Sequence, residues 1–377
     1  MRKSKKQKFT HPIATPRPAI PTTPPNASIN RVRIVDLPGL PLVDGVRGAQ
    51  AYHLLSAPTV VRYAQAHAAA LDLPPTYRTA DPDAPNIRRE VPPYVDAALS
   101  SPDSDVRAAA ERIARRLGRN LGTILLTLHR GDAVNRAARA EWGEVEWARW
   151  GEVQRVWIGG GLMQSDLGAR IIKHARELLA ETGYDEAISV ARTSQPPPMA
   201  LIGAARYLPL TEGVALCCDF GQTGAKRALI EVHAGAITRI HHLDTRPVAW
   251  PWRNDPEAAR RIDAAEVRDF VATTIAQSLA EHRARDLAPE VMCSVAAYVR
   301  GGTLLGNGIY ATMMRLTAGD DARPLLESAV RERGETARVH LIHDGTAAAA
   351  LHAGAPRAAV LVIGTAIGVG FPPPTTE

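Results

Sequence analysis

Asp219-Phe220-Gly221-Gln222-Thr223-Gly224-Ala225-Lys226 runs out of one apolar β segment, which begins at Val214, and into another at 228–232. Glycines at 221 and 224 let backbone N–H groups approach phosphate oxygens with no Cβ in the way, and Thr223 adds a hydroxyl donor. Asp219, at a strand end, is placed to hold a Mg2+ ion through water, and Lys226 brings positive charge nearby. An ordinary β-hairpin with a glycine-rich turn explains the same stretch equally well.

Three further elements give the loop more weight. Ile363-Gly364-Thr365-Ala366-Ile367-Gly368-Val369-Gly370 follows an apolar strand at 358–363 and repeats the logic, with Gly364, Thr365 and Gly368 as its candidate phosphate contacts. Val156-Trp157-Ile158 ends in Gly159-Gly160-Gly161, which by itself reads equally as a tight strand-to-helix turn with no ligand. His343-Asp344-Gly345-Thr346 closes an apolar strand at 339–342 and opens a small-residue helix at 346–351. Each is a common turn when taken alone; the conjunction is the signal. Phosphoryl transfer asks a protein for positioning and charge neutralisation more than for covalent chemistry. A carboxylate at a strand end suits a general base that takes the proton of a hydroxyl attacking a γ-phosphate, which makes Asp344 the catalytic candidate. Its other reading is a helix N-cap, and the two roles are compatible.

Length and composition set the frame. A chain of 377 residues with 45% hydrophobic content can bury two cores, so two lobes are expected. There is no apolar run of about 18 residues, and no membrane span is expected. The basic N-terminus has no apolar stretch behind it, so no secretory signal is expected. Cys217, Cys218 and Cys293 lack zinc-ligand or disulfide-framework spacing, which points to a reducing cytoplasm and to no structural zinc. The formal net charge of +6 is matched by Arg2, Lys3, Lys5, Lys6, Lys8 and Arg17, which sit without an acid in 1–30 among six prolines. That segment reads as a disordered, solubilising tail on a neutral body, and nucleic-acid binding is not expected from it.

Along the chain, the pattern predicts a short strand and turn at 31–42, a helix over 59–71 and a loop over 72–93. It then predicts a strong helix over 104–129, capped by Ser104 or Asp105, and an inserted hairpin carrying Trp142, Trp147 and Trp150. A strand at 153–158, a helix over 167–182 and a short helix at 200–207 follow. After the first loop come a helix over 256–284, a strand at 291–299, a helix from about 322 and the two strands already mentioned. The fold class is α/β.

These residues resemble one family, the ROK family of sugar kinases and repressors, which includes bacterial glucokinases and belongs to the sugar kinase and actin superfamily. In that family a D-x-G-x-T loop opens the chain, an Asp before a small-residue helix is the base, G-T-x-x-G-x-G is the second phosphate loop, and an apolar strand ending in G-G-G contacts the adenosine. Here Ser56-Ala57-Pro58, the helix from Ser104, Ile158-Gly159-Gly160-Gly161 and Leu201-Ile202-Gly203-Ala204-Ala205 resemble the family's later segments in their usual order, and its first half runs from Val214 to Gly370. The resemblance implies a two-lobed actin-like ATPase (ribonuclease H-like) fold, circularly permuted, with residues 1–50 returning near Phe371. It implies a basic tail at 1–30, a large lobe with the adenosine element at 31–198, a small lobe with the first phosphate loop at 199–340, and a return to the large lobe at 341–377. ATP and Mg2+ are the implied cofactors, a sugar-like metabolite the substrate, and three separate glycine stretches would converge on one triphosphate. A homo-oligomer is left open.

The departures concern the acceptor. Gln222 replaces the second glycine of the usual D-x-G-G-T, and His343 stands where the family has a sugar-binding Asn. Neither the G-E-x-G-H sugar motif nor the C-x-C-G-x-x-G-C zinc element is present; Asn307 and His343 are the candidate substrate contacts. The expectation is therefore an ATP-dependent kinase for an altered sugar-like acceptor, or a non-catalytic nucleotide or sugar sensor. A DNA-binding repressor is disfavoured, because 1–30 is too short and proline-rich for a helix-turn-helix.

Overall fold

The computed structural model describes residues 28–195, 198–248, 250, 261–306, 308–317 and 320–375. Most of the expected tail, the candidate Asn307 and the 256–260 start of an expected helix lie outside the described residues. In chain order the strands are β1 (Arg155–Gly159), β2 (Ser189–Arg192), β3 (Gly213–Phe220), β4 (Gly224–His233), β5 (Ala236–Pro247), β6 (Leu287–Val295), β7 (Tyr298–Arg300), β8 (Thr303–Leu305), β9 (Arg338–His343), β10 (Ala358–Ile363) and β11 (Ile367–Gly370). Chain contacts define two compact units. One comprises Pro198–Ala355 with the residues from Pro372; the other comprises the described residues up to Gln195 with Pro356–Phe371. Both mix helices and strands, so the chain is α/β.

The second of these, the glycine-loop unit, holds a sheet of order β11-β10-β1-β2. β1 pairs in parallel with β10 and β2, and β10 turns back antiparallel into β11. Val156, Ile158, Ala359, Leu361 and Ile363 are buried in one core with the helix Ser104–Arg130 and the helix Asp166–Glu181. Asp103, one residue earlier than expected, caps the long helix through bonds from the Asp105 and Val106 amides. Its apolar spacing buries Ile113, Leu117, Leu121, Ile124 and Leu128, as the 3.6-residue period requires.

Several expectations fail here. The span 72–93 is not a loop: Pro75–Arg78 and Pro85–Ala98 are helices. Proline opens both, where a missing amide costs nothing, and burial of Ile87, Val91 and Val95 carries the second through Pro92 and Pro93. The tryptophan segment is a helix, Glu144–Gly151, not a hairpin, and all three indoles are buried. The strand predicted at 31–42 reduces to a single bridge, Arg33 to Gln50. The tail ends before residue 30, since Ile29 is fully buried and Asn30 is bonded into the unit.

The carboxylate unit is built on a sheet of order β5-β4-β3-β6-β9. β3, β4 and β5 form an antiparallel run; β3, β6 and β9 are parallel neighbours. β5 was not anticipated, because its outward residues are polar and only Ile237 and Ile240 are buried. Ala215–Phe220 is buried throughout, which is what a central strand covered on both faces demands. The crossovers are the helix Ala264–Glu281, shorter than predicted, and the helix Ala322–Arg331. The helix Asp344–Ala350 packs against the helix Met199–Ala205 so closely that a Cβ on Gly203 would lie 1.7 Å from the Ala347 carbonyl oxygen. Residues 341–355, expected to return to the lobe of the second phosphate loop, belong instead to this unit.

Candidate functional site

In the carboxylate unit the register puts the acidic candidates at the same ends of parallel strands. Asp219 of β3 lies opposite Ser294 of β6, and Val295 opposite His343 of β9, with Asp344 next in the chain. The C-terminal edge of parallel strands is where α/β sheets gather ligand chemistry. Asp219 is 4% exposed, and both of its oxygens are engaged: Lys226 Nζ donates to Oδ2 at 2.9 Å and Ser294 Oγ donates to Oδ1 at 2.7 Å. The ion pair follows from the hairpin, since Asp219 and Lys226 face each other across β3 and β4. Attraction to Asp219 raises the Lys226 ammonium above its usual pKa.

The loop between these strands is a closed hairpin turn. The Gly221 amide, expected to be free for phosphate, donates to the Gly224 carbonyl at 3.1 Å and to the Asp219 carbonyl at 3.2 Å. Tyr310, fully buried against Phe220, donates its hydroxyl to the Gly221 carbonyl at 2.8 Å. Thr223 is exposed, while the side-chain carbonyl oxygen of Gln222 is buried without a hydrogen-bond partner among the described residues.

Asp344 opens its helix, and His343 is the residue that caps it. The Thr346 amide donates to His343 Nδ1 at 3.2 Å, so the capping role expected of Asp344 falls to its neighbour. Asp344 Oδ1 accepts from the Gly345 amide at 2.6 Å. Burial, then the negative charge of Asp219, pushes Asp344 up to about 7, against the opposing pull of the Gly345 amide and Lys226. A carboxyl balanced near neutrality suits proton transfer at physiological pH. His343, expected to contact a substrate, is 6% exposed and stacked on Tyr298, with ring centroids 4.2 Å apart and 21° between planes. Burial drives its pKa down to about 3, so the ring is neutral.

The glycine-loop unit brings its own candidates together. Gly159 pairs with Val362 across β1 and β10, so the glycine triplet and the Gly364 loop leave adjacent parallel strands. Gly160 has φ +98°, and a Cβ there would lie 2.3 Å from the Ile363 carbonyl oxygen; only glycine fits. Gly161 and Gly364 face open space. The Gly364 carbonyl accepts from the Ala57 amide at 2.8 Å, and Asn30 brackets the loop: its Nδ2 donates to the Ile367 carbonyl at 2.8 Å and its Oδ1 accepts the Ile367 amide at 2.9 Å. Thr365 is half-buried and Gly368 pairs with Val362 in the β10–β11 hairpin.

Sequence reasoning missed Ser294, Tyr310, Tyr298 and Asn30. Their partners are between 45 and 337 residues away, and no local motif marks them. Among the described residues, no group of three His, Cys, Asp or Glu side chains could hold a metal ion by itself, and no helix is long and apolar enough to cross a membrane. Compared with models of protein families and with curated proteins, the chain finds no match in either.

Proposed function

We propose that the chain is an ATP-dependent phosphotransferase of circularly permuted, actin-like fold that acts on a hydroxyl of a sugar or sugar-like metabolite. The observation that carries the proposal is the gathering of Asp219, Lys226 and Asp344 along one edge of a single sheet, on β3, on β4 and just after β9, with β6 between β3 and β9. Asp344 is the general base, and Lys226 offsets phosphate charge. Mg2+ is held in such sites by one or two carboxylates together with substrate phosphates. Asp219 is the carboxylate assigned to it; its two oxygens are bonded to Lys226 Nζ and Ser294 Oγ, so one of these bonds would have to give way for the ion, which would then neutralise phosphate charge. Gly159, Gly160, Gly161, Gly364, Thr365 and Gly368 are assigned to the nucleotide. Asn30, fastened to Ile367 a few residues before Phe371, supports the permutation, which requires the chain start to return there. Three buried free thiols, Cys217, Cys218 and Cys293, support a reducing cytoplasmic setting.

One observation favours the non-catalytic sensor: the Gly221 amide is already bonded inside its own hairpin, beside the intruding Gln222. Release of ADP from MgATP across a panel of hexoses, compared between the parent and Asp344→Asn, separates the readings. Hexose-dependent release that the variant loses supports the kinase. Thermal stabilisation of both proteins by MgATP, with turnover in neither, establishes the sensor instead.

A further inference from the structure

Beside the edge strand β9 the carboxylate unit holds a pocket of about 110 Å³ that the proposed phosphoryl transfer does not use. Its walls come from residues 340–343 of β9, from Tyr207, and from the turn Gly301-Gly302 together with Arg323. An engineered apolar cavity of roughly 150 Å³ takes up benzene, so this pocket is sized for an occupant of about four or five non-hydrogen atoms. Its polar lining is set up to donate. Asp321 Oδ2 accepts from Arg323 Nε at 2.7 Å and the Gly301 carbonyl accepts from Nη2 at 3.1 Å, while Nη1 has no partner among the described residues. The turn closes tightly on that pair: Gly302 has φ +95°, and a Cβ there would run into the Asp321 carboxylate. Tyr207 is 6% exposed, and its hydroxyl is buried with no hydrogen-bond partner among the described residues. Burial holds that phenol well above its usual pKa, so it keeps its proton and stays a donor. A buried hydroxyl left unpaired is costly and calls for a group that completes it. No Asp or Glu lines the pocket; Asp321 stands behind Arg323, and Glu290 Oε2 lies 2.5 Å from Nε2 of His340.

We propose that this pocket is a binding site for a small oxyanion, a carboxylate or phosphate group whose oxygens accept from the Tyr207 hydroxyl and the Arg323 guanidinium. Donors with no acid among them fit a ligand that only accepts, and Arg323 supplies the opposite charge. Thr346 and His343 line the same pocket, so the occupant lies against the cap of the helix that Asp344 opens. The inference does not depend on Asp344 being a base, and its test contains neither nucleotide nor sugar.

Three probes test the site on the full chain: sodium acetate, inorganic phosphate and neutral acetamide, each at an ionic strength held constant with chloride. Binding is read by calorimetry and by the carbon-13 methyl signals of methionine, among which Met292 lines the pocket and is assigned through Met292→Leu. Acetate, phosphate or both are expected to bind and to move the Met292 signal, and acetamide is not. The anion that binds more tightly tells whether a carboxylate or a phosphate is the group recognised. Tyr207→Phe removes a single oxygen and is expected to weaken that binding about 10-fold, as the loss of one hydrogen bond to a charged group does. Arg323→Gln removes the charge and is expected to weaken it by about 10- to 100-fold. Should the latter fail to fold, Tyr207→Phe decides alone. Phosphate taken up at the glycine loops instead would bind the parent and Tyr207→Phe alike and leave Met292 unmoved, which overturns the proposal. Equal binding of acetamide, or a parent that binds neither anion, overturns it as well.

Discussion

The carboxylate unit and the glycine-loop unit hold their candidate residues by different forces. In the first, carboxylates are held by donors: Lys226 and Ser294 donate to Asp219, and the Gly345 amide donates to Asp344. In the second, the contacts are to peptide groups: Gly160 lies against the Ile363 carbonyl, and the Asn30 side-chain amide brackets the Ile367 peptide groups. The difference sets how far each pattern can be read as function. A carboxylate as buried as Asp219 is costly unless paired, and Lys226 and Ser294 supply the pairing. A glycine against a carbonyl oxygen is explained by packing before any ligand is invoked.

The largest effect should come from the carboxylate side. Asp344→Asn is expected to reduce hexose-dependent ADP release by about 10²- to 10⁴-fold while leaving the circular dichroism spectrum that of the parent and the melting temperature no lower than the parent's. A loss of folding in place of a loss of rate would erase the contrast between the units. Next in size, Gly160→Ala is expected to destabilise the chain by about 3 kcal/mol in urea unfolding, because the new Cβ meets a backbone oxygen in a left-handed conformation. A fully stable variant would mean that β1 and β10 part more easily than their register implies.

A smaller effect sharpens the comparison within the carboxylate unit. Asp344 binds its proton more tightly folded than unfolded, its pKa rising from 3.8 to about 7, so its contribution is complete below about pH 4 and is lost as pH rises through 7. His343 moves the other way, from 6.5 to about 3, so its contribution is complete above about pH 6.5 and is lost as pH falls through 3. Between pH 4 and pH 6.5 the two slopes oppose. Relative to the parent, His343→Asn should lose stability with rising pH in this window and Asp344→Asn should gain it. The Asp344 side chain is 27% exposed, and water moderates its share. Urea titrations at three pH values read the slopes; parallel profiles for the two variants would refute the assignment. The smallest effect is Gly161→Ala, expected within about 0.5 kcal/mol of the parent, since its Cβ would meet nothing within 4 Å. If the triplet serves a nucleotide, this variant should still weaken thermal stabilisation by MgATP. No change in either quantity would leave the turn as packing alone.

Much of the architecture was legible locally. The helix Ser104–Arg130 and the strand β10 announce themselves by period and apolar run, and the hairpin around Gly221 by its glycines. The failures share a cause: Pro85–Ala98 is helical against its own prolines, and Glu144–Gly151 is helical around two indoles, because burial outweighs local preference. At the candidate site the sequence singled out Asp219 and Asp344, since strand-end carboxylates carry a local signature. It misjudged His343 and Gly221, whose hydrogen-bonding groups turn inward.

By itself the sequence determined an α/β chain, the positions of its glycine turns and the two acids set at strand ends, because periodicity and turn chemistry act over a few residues. Only the tertiary structure decided that Ser294 would meet Asp219, that Tyr298 would stack on His343, and that Asn30 would fasten Ile367 across 337 residues. Such partnerships arise when separate strands and helices pack together, and a hydrogen bond between distant residues leaves no trace in the local pattern of either.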